Sequence, residues 1–360
     1  MGQNPTSGVL SLERRREIYA LCSKYDIIII EDDPYWYLQY PSSTARRTGK
    51  AAPKPSSHWK SSGYDFLDSL VPSFINVDTD GRVVRLDTFS KTVAPGCRVG
   101  WITAQPNIVE RILRITETST QQPSGFVQSM LAELIMGPQP TEKDLTTASH
   151  KATDGWKADG WVRWLEGLRG NYERRMNAMC DIMQAGSELV KSGRRNSLTD
   201  TLAQTSLADD ADDDDDWAVV EKTTMYSFDW PVGGMFVWVK MHFDTHPLAQ
   251  KVASARLSRA MWIFWTTKPY LVLVSPGTIF SPTDAIRAKD GWKFFRLCFA
   301  ACDEDQLKPI TQRFVDAVQA FWRIKSVSKI DELLKDEEQA VEGRAGELDM
   351  AVLARLSGPC

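Results

Sequence analysis

Hydrophobic and polar positions alternate between two periods along this chain. Residues 3–8 form a turn, because Asn4-Pro5 and Ser7-Gly8 are both chain-breaking pairs. Ser11 then caps a helix whose apolar residues Ile18, Leu21, Cys22 and Tyr25 recur at helical spacing. Residues 27–30 are four isoleucines in a row, which predicts a parallel strand covered on both faces. The run leads into Glu31-Asp32-Asp33-Pro34-Tyr35, so acids stand at the carboxyl end of a strand, where open α/β sheets bind ligands. A second strand is predicted over 83–87, and an apolar return begins after the Pro95-Gly96 turn. Helical patterns follow over 107–118 and 124–135. A stretch bearing Trp156, Trp161 and Trp164 leads into a long helix with Leu168, Tyr172, Met176 and Met183, read as an amphipathic connector packing its aromatics on both sides. Later come a turn and strand over 230–239, a turn at 275–280, a strand over 294–299 and a helix over 303–324. The pattern predicts an α/β chain that opens on a helix and a buried parallel strand.

Three stretches carry no sustained period. Residues 41–63 are rich in Ser, Pro, Lys and Arg and read as a mobile insertion. Residues 196–222 read as an acidic loop, since 209–216 are almost pure aspartate; such a run repels itself, stays solvated and gives no reason to expect a metal. Residues 327–360 read as a charged tail. The rest divides into a first domain over 1–160 and a second over 161–326, and 360 residues suit two moderate cores.

Composition narrows the function classes. Charged residues at 25% and apolar ones at 42% are ordinary for a soluble globular protein. A formal net charge of -4 gives no basic footprint for nucleic acid, and no apolar run is long enough to span a bilayer. Six scattered cysteines without paired spacing suggest reduced thiols and a cytoplasmic protein. Only four histidines occur, none in a metal-like pair, which disfavours zinc hydrolysis and histidine-centred triads.

Candidate chemistry gathers in residues 87–101. Lys91 follows the hydroxyls of Thr88 and Ser90, and Arg98 follows a tight turn. Such a segment can hold an aldehyde cofactor on the lysine, with neutral hydroxyl donors and a planar guanidinium around a phosphate. Ser-Lys by itself also describes an ordinary solvated lysine. Asp32 at a buried strand end would need a cationic partner. Arg296, inside the apolar run Phe294-Phe295-Arg296-Leu297, needs an anion: either a ligand carboxylate or a core aspartate.

Taken with Asn4-Pro5-Thr6-Ser7-Gly8, Asp32-Asp33-Pro34-Tyr35, Pro231-Val232-Gly233-Gly234-Met235-Phe236 and Ser275-Pro276-Gly277-Thr278, the 87–101 segment resembles the fold-type I aminotransferases that use pyridoxal 5'-phosphate (PLP). The resemblance is to the branch holding fungal aromatic-amino-acid and kynurenine/2-aminoadipate enzymes. It implies that Lys91 carries the cofactor and shuttles a proton, that Asp32 keeps the pyridine nitrogen protonated, and that Asn4 and Tyr35 face the phenolate oxygen. Thr88, Ser90 and Arg98 would hold phosphate, and Arg296 with Asn4 the substrate carboxylate. Transfer of an amino group from an aromatic amino acid to a 2-oxo acid such as 2-oxoglutarate would follow, in a cytoplasmic homodimer. Relatives carry a substantial segment before the Asn-Pro-Thr turn, so the resemblance implies an α/β fold with a truncated large domain built on a mostly parallel sheet, followed by a smaller α+β C-terminal domain. Ser7 stands where glycine is usual, a mild change if that turn takes negative φ. Thr88 replaces a common serine and keeps the hydroxyl. Two other readings share the fold: a non-catalytic relative, such as the effector domain of a transcription regulator, and other PLP chemistry such as β-elimination.

Overall fold

The computed structural model describes residues 2–43, 61–136, 158–193 and 219–342. Most of the 41–63 insertion and the aspartate run at 209–216 lie outside these residues. Ser11 caps α1 (Leu12–Lys24) by accepting from the Arg14 amide at 3.2 Å. Strand β1 (Ile29–Asp32), the short α2 (Asp65–Asp68), β2 (Val83–Thr88) and β3 (Gly100–Thr103) follow. Strand β1 runs parallel to β2, with Asp32 opposite Leu86. Strand β3 returns antiparallel, Gly100 opposite Thr88, because the turn at residues 89–99 is too short for a crossover helix. Among the described strands this sheet is therefore mixed rather than mostly parallel.

The isoleucine run corrects the expectation of burial on both faces. Ile28 and Ile30 are 58% and 69% exposed, whereas Glu31 and Asp33 are buried. Side chains alternate across a strand, so one face packs toward α1 while the face of Ile28, Ile30 and Asp32 is uncovered by the described residues. Asp32 is thus exposed, not sunk in a core.

Helices α3 (Pro106–Thr118) and α4 (Gly125–Met136) precede α5 (Asp159–Ala185), the long connector. Strands β4 (Glu188–Gly193) and β5 (Val219–Thr224) form a hairpin, so residues 219–222 are strand, not loop. A four-stranded antiparallel sheet follows in the order β6 (Tyr226–Phe228), β7 (Phe236–Met241), β9 (Phe294–Cys298), β8 (Ser275–Pro276). Helices α6 (Ser254–Thr266), α7 (Asp284–Lys289), α8 (Glu304–Phe321) and α9 (Val327–Glu342) complete the chain. Trp265 stacks on Phe314 and meets Phe295 edge-on, both at 4.9 Å between ring centroids. The 327–360 segment is more than a charged tail, since Ile330 and Leu334 of α9 are buried in this same core. No described helix is long and apolar enough to cross a membrane.

Two early segments are stitched into the later half. Tyr35, Leu38 and Tyr40 belong to the core built mainly by α5, α6, α8, α9 and the four-stranded sheet. Leu38 O accepts from the Gly234 amide at 2.8 Å, and the Tyr40 amide donates to Val232 O at 3.0 Å. The 2–8 turn lies against the same glycines so closely that a Cβ on Gly2 would stand 2.4 Å from Gly234 N. Ser7 has φ +58, which corrects the assumption of negative φ: the position favours glycine. Its buried hydroxyl donates to Phe236 O at 2.6 Å, an offset that glycine could not supply.

His246 is buried between Phe321 and Trp322 as a neutral ring. Nε2–H donates to Phe321 O at 3.0 Å and Nδ1 accepts from the Leu248 amide at 3.1 Å. Burial holds its pKa below the usual 6.5, against the raising effect of the Phe321 carbonyl. Protonation would turn Nδ1 into a second donor facing an N–H. Stability is therefore expected to be complete above pH 6.5 and to decline as pH falls through the lowered folded value. Urea midpoints between pH 7.5 and 5 test this; in His246→Gln that part of the slope should vanish, and an unchanged slope would refute the assignment.

Candidate active site

The parallel register of β1 and β2 decides where the chemistry lies. Asp33 N donates to Leu86 O at 3.1 Å, so the carboxyl ends of both strands reach the same sheet edge. Asp32 stands at that edge, and the Thr88 to Lys91 segment leaves β2 beside it. Paired residues point to the same face, which puts Asp32, Leu86 and Thr88 on one side of the sheet. Glu31, Asp33, Arg85 and Asp87 occupy the other. Asp32 has no side-chain hydrogen bond or ion pair among the described residues, whereas both acidic neighbours are held by arginines. Arg15 pairs with buried Glu31 in a short contact, and Arg85 lies 3.7 Å from Asp33. Burial, then the charge of Asp33, raises the Glu31 pKa despite Arg15.

The lysine segment is a tight turn. Thr88 Oγ1 accepts from the Ser90 amide at 3.1 Å and lies 3.0 Å from Ser90 Oγ and 3.3 Å from Val99 O. The amides of Thr92 and Val93 both donate to Phe89 O, which closes one turn around Lys91. Helix α5 pins this turn from outside: Trp164 Nε1 donates to Thr92 O at 2.7 Å, and Trp161 meets the Phe89 ring at 6.1 Å. The connector expected from the tryptophans thus braces the lysine loop. Lys91 and Ser90 line a cavity of about 500 Å³ whose other walls include Leu168, Tyr172, Met235 and Ala300.

A second group forms around β9. Arg296 Nη1 donates to Asn4 Oδ1 at 2.8 Å and Nη2 to Ser275 Oγ at 3.3 Å. Its guanidinium lies over the Phe236 ring at 4.2 Å and the Phe280 ring at 4.8 Å. Tyr35, buried, packs edge-on against the other partner, Phe236, at 6.0 Å. Asn4, Tyr35 and Arg296 are therefore one cluster drawn from three distant parts of the chain. Thr88, Ser90 and Lys91 are another, with Asp32 on their sheet edge. Arg98 stands apart: it has φ +48, is exposed, and donates to Pro95 O at 3.5 Å rather than to the hydroxyl pair. Neither Asp32, Arg98 nor Arg296 lines the 500 Å³ cavity.

Sequence reasoning passed over Arg85, Asp33 and Asp87. Arg85 forks onto Asp87 with Nε to Oδ2 at 2.8 Å and Nη2 to Oδ1 at 2.9 Å. A charged residue at every second position of a predicted strand was the available signal, because a buried strand face carries charges only in pairs.

Residues 3–154 match the family model described as aminotransferase class I and II. The chain is 38% identical over 247 residues to an L-tyrosine:2-oxoglutarate aminotransferase of Tapinella panuoides, covering 68% of this chain and 36% of that protein. Among solved structures it resembles the aminotransferase Aro8 of Candida albicans, with a TM-score of 0.61, 32% identity, and coverage of 90% of this chain and 56% of that one. A kynurenine aminotransferase of Pyrococcus horikoshii, solved in complex with pyridoxamine phosphate, shares the fold at a TM-score of 0.52 and 20% identity. The chain spans between about a third and just over half of the length of these relatives.

Proposed function

We propose, on the premise that this chain belongs to the class I and II aminotransferases, that it carries the lysine-bearing part of an enzyme moving the amino group of an aromatic L-amino acid to a 2-oxo acid such as 2-oxoglutarate. The observation that carries this reading is the shared sheet edge of Asp32 and the Lys91 turn, set by the β1 to β2 register. The substrate class draws support from the tyrosine:2-oxoglutarate relative.

The family implies PLP as cofactor, and the donor set fits it. An exposed carboxylate without a partner among the described side chains suits a protonated pyridine nitrogen, and paired hydroxyls beside a lysine suit a phosphate next to an aldehyde. When bound, PLP supplies an electron sink for the pair left on the substrate Cα. Asp32 would hold the proton on the ring nitrogen. Lys91 Nζ would be the residue that holds the cofactor at its aldehyde carbon, and as a positioned amine it would move the proton at the substrate Cα. Thr88 and Ser90 would bind phosphate, with Arg98 joining them on leaving its contact with Pro95 O, and Asn4 and Tyr35 would face the phenolate oxygen. Arg296 would grip the substrate carboxylate with its planar fork. Its bond to Asn4 and its seat on Phe236 orient that fork beforehand. In this reading residues 1–160 belong to the cofactor domain and the smaller domain starts at 161. A homodimer in the cytoplasm is part of the same proposal.

One panel tests it. Purified protein loaded with PLP is mixed with tryptophan, tyrosine, phenylalanine, kynurenine or 2-aminoadipate, and conversion of the cofactor to its amine form is followed by absorbance. The aromatic amino acids are expected to convert it fastest. Cofactor binding with no conversion by any of the five would replace this proposal with the non-catalytic reading. Pyruvate and ammonia without amino transfer would indicate elimination chemistry instead.

A further inference from the structure

The face of the sheet opposite Asp32 carries a second arrangement that no step above uses. Arg85, 11% exposed, forks onto Asp87, 7% exposed, and its Nη2 stands 3.7 Å from Oδ2 of Asp33, which is fully buried. The same guanidinium lies over the Trp36 ring at 5.0 Å, and Trp36 is fixed by donating Nε1 to Val71 O at 2.9 Å. Asp33 directly follows Asp32, and Asp87 directly precedes Thr88. One cation thus bridges the neighbours of the two groups that the proposed function places at opposite ends of a cofactor ring.

We propose that Arg85 is a positioning residue that fixes the separation between Asp32 and the Thr88 to Lys91 turn. The inference rests on the PLP reading for its consequence, though not for its geometry. Without the guanidinium, two buried carboxylates on adjacent strand ends face each other across the parallel pair, and like charges there force the ends apart or a proton on. The hydrogen bond from Asp33 N to Leu86 O is a backbone tie between the strands at this edge that does not depend on the guanidinium. A lysine cannot replace the fork, because an ammonium is a point donor and two parallel bonds to Asp87 need a planar group. On the opposite face Asp32 and Thr88 would keep their chemistry but lose their spacing. Displacements of this size are costly for recognition of a rigid ring even when every contacting group survives.

A control exists at the far end of the same strand pair. Arg82, just before β2 at its other end, forks onto Asp80 with Nε to Oδ2 at 2.9 Å and Nη2 to Oδ2 at 2.6 Å, and also donates to Ile27 O. It ties the same two segments together far from the candidate site.

The experiment compares Arg85→Gln, Arg85→Lys and Arg82→Gln with the parent chain. In cofactor-free protein, hydrogen exchange of the Asp33 amide, bonded to Leu86 O, reports the alignment of the strand ends, and that of the Phe89 amide, bonded to Val99 O, serves as a local reference. In the presence of PLP, titration gives its dissociation constant, and the pH midpoint of the bound cofactor's absorbance reports the field at the lysine. Arg85→Gln is expected to speed exchange at the Asp33 amide about tenfold relative to the Phe89 amide. It should weaken PLP binding roughly tenfold or more and move the pH midpoint, with Arg85→Lys between it and the parent. Arg82→Gln should lower the thermal midpoint yet leave affinity and pH midpoint within about twofold of the parent, the spread expected of a change remote from the site. Equal effects of the two glutamine variants on affinity, or an unmoved pH midpoint in Arg85→Gln, would overturn the positioning role. Should Arg85→Gln fail to fold, Arg85→Lys carries the same comparison. A parent chain that does not bind PLP fails the functional reading alone, and the exchange data still decide whether Arg85 aligns the strand ends.

Discussion

Lys91→Ala is expected to abolish the absorbance band of lysine-linked PLP and to lower amino transfer by more than about 10⁴-fold, the upper range for a positioned acid-base group. The effect should be chemical rather than structural. The turn around Lys91 is closed by backbone bonds from Thr92 and Val93 to Phe89 O, and the Trp164 bond to Thr92 O braces it from helix α5. None of these contacts involves the lysine side chain. The cofactor-free variant should keep the turn itself, read as unchanged hydrogen exchange at the Thr92 and Val93 amides. Lys91→Arg sharpens the test: a guanidinium keeps the positive charge but stays protonated, so it cannot condense with an aldehyde. Both variants should lose the band. Retention of the band in either would mean that another amine captures the cofactor, and the assignment of the site would fall.

Asp32→Asn should reduce turnover on the order of 10²- to 10³-fold, the typical loss when one preorganised electrostatic partner is removed. An amide is close to the carboxylate in shape but cannot hold a proton on a pyridine nitrogen. Because Asp32 is exposed and has no partner among the described side chains, its replacement should leave the fold as stable as before. Asp33→Asn is the matched comparison. Asp33 is buried beside Arg85, so this variant removes one partner from a desolvated charge network and is expected to destabilise the fold by about 3 kcal/mol. Chemical denaturation and single-turnover rates on the two variants separate the roles. A stability loss in Asp32→Asn with unchanged chemistry would reverse the assignment, making Asp32 the structural acid and Asp33 the reactive one.

Much of the site was written in local chain order. Strand β1 ending in acids, strand β2 delivering Lys91 after two hydroxyls, and Arg296 inside an apolar strand are each legible from periodicity and residue type, because strand ends and turns are set by neighbours in the chain. Burial was not legible in the same way. The isoleucine run looked doubly covered, yet coverage depends on what packs against each face, and Ile28 and Ile30 are exposed among the described residues. The left-handed turn at Ser7 was likewise invisible, since that turn is seated on partners far along the chain, with Ser7 O accepting from the Val232 amide and Ser7 Oγ donating to Phe236 O.

The sequence by itself determined the chemical inventory: which acid, lysine, hydroxyls and arginines exist, and which of them close local turns. Tertiary structure decided which members meet. Asn4, Tyr35 and Arg296 form one cluster because a β-sheet and an aromatic ring bring positions hundreds of residues apart within contact. Arg85 became the clamp between Asp33 and Asp87 through parallel strand register. Register arises from the burial and pairing of whole faces, a collective property that no single stretch of residues carries.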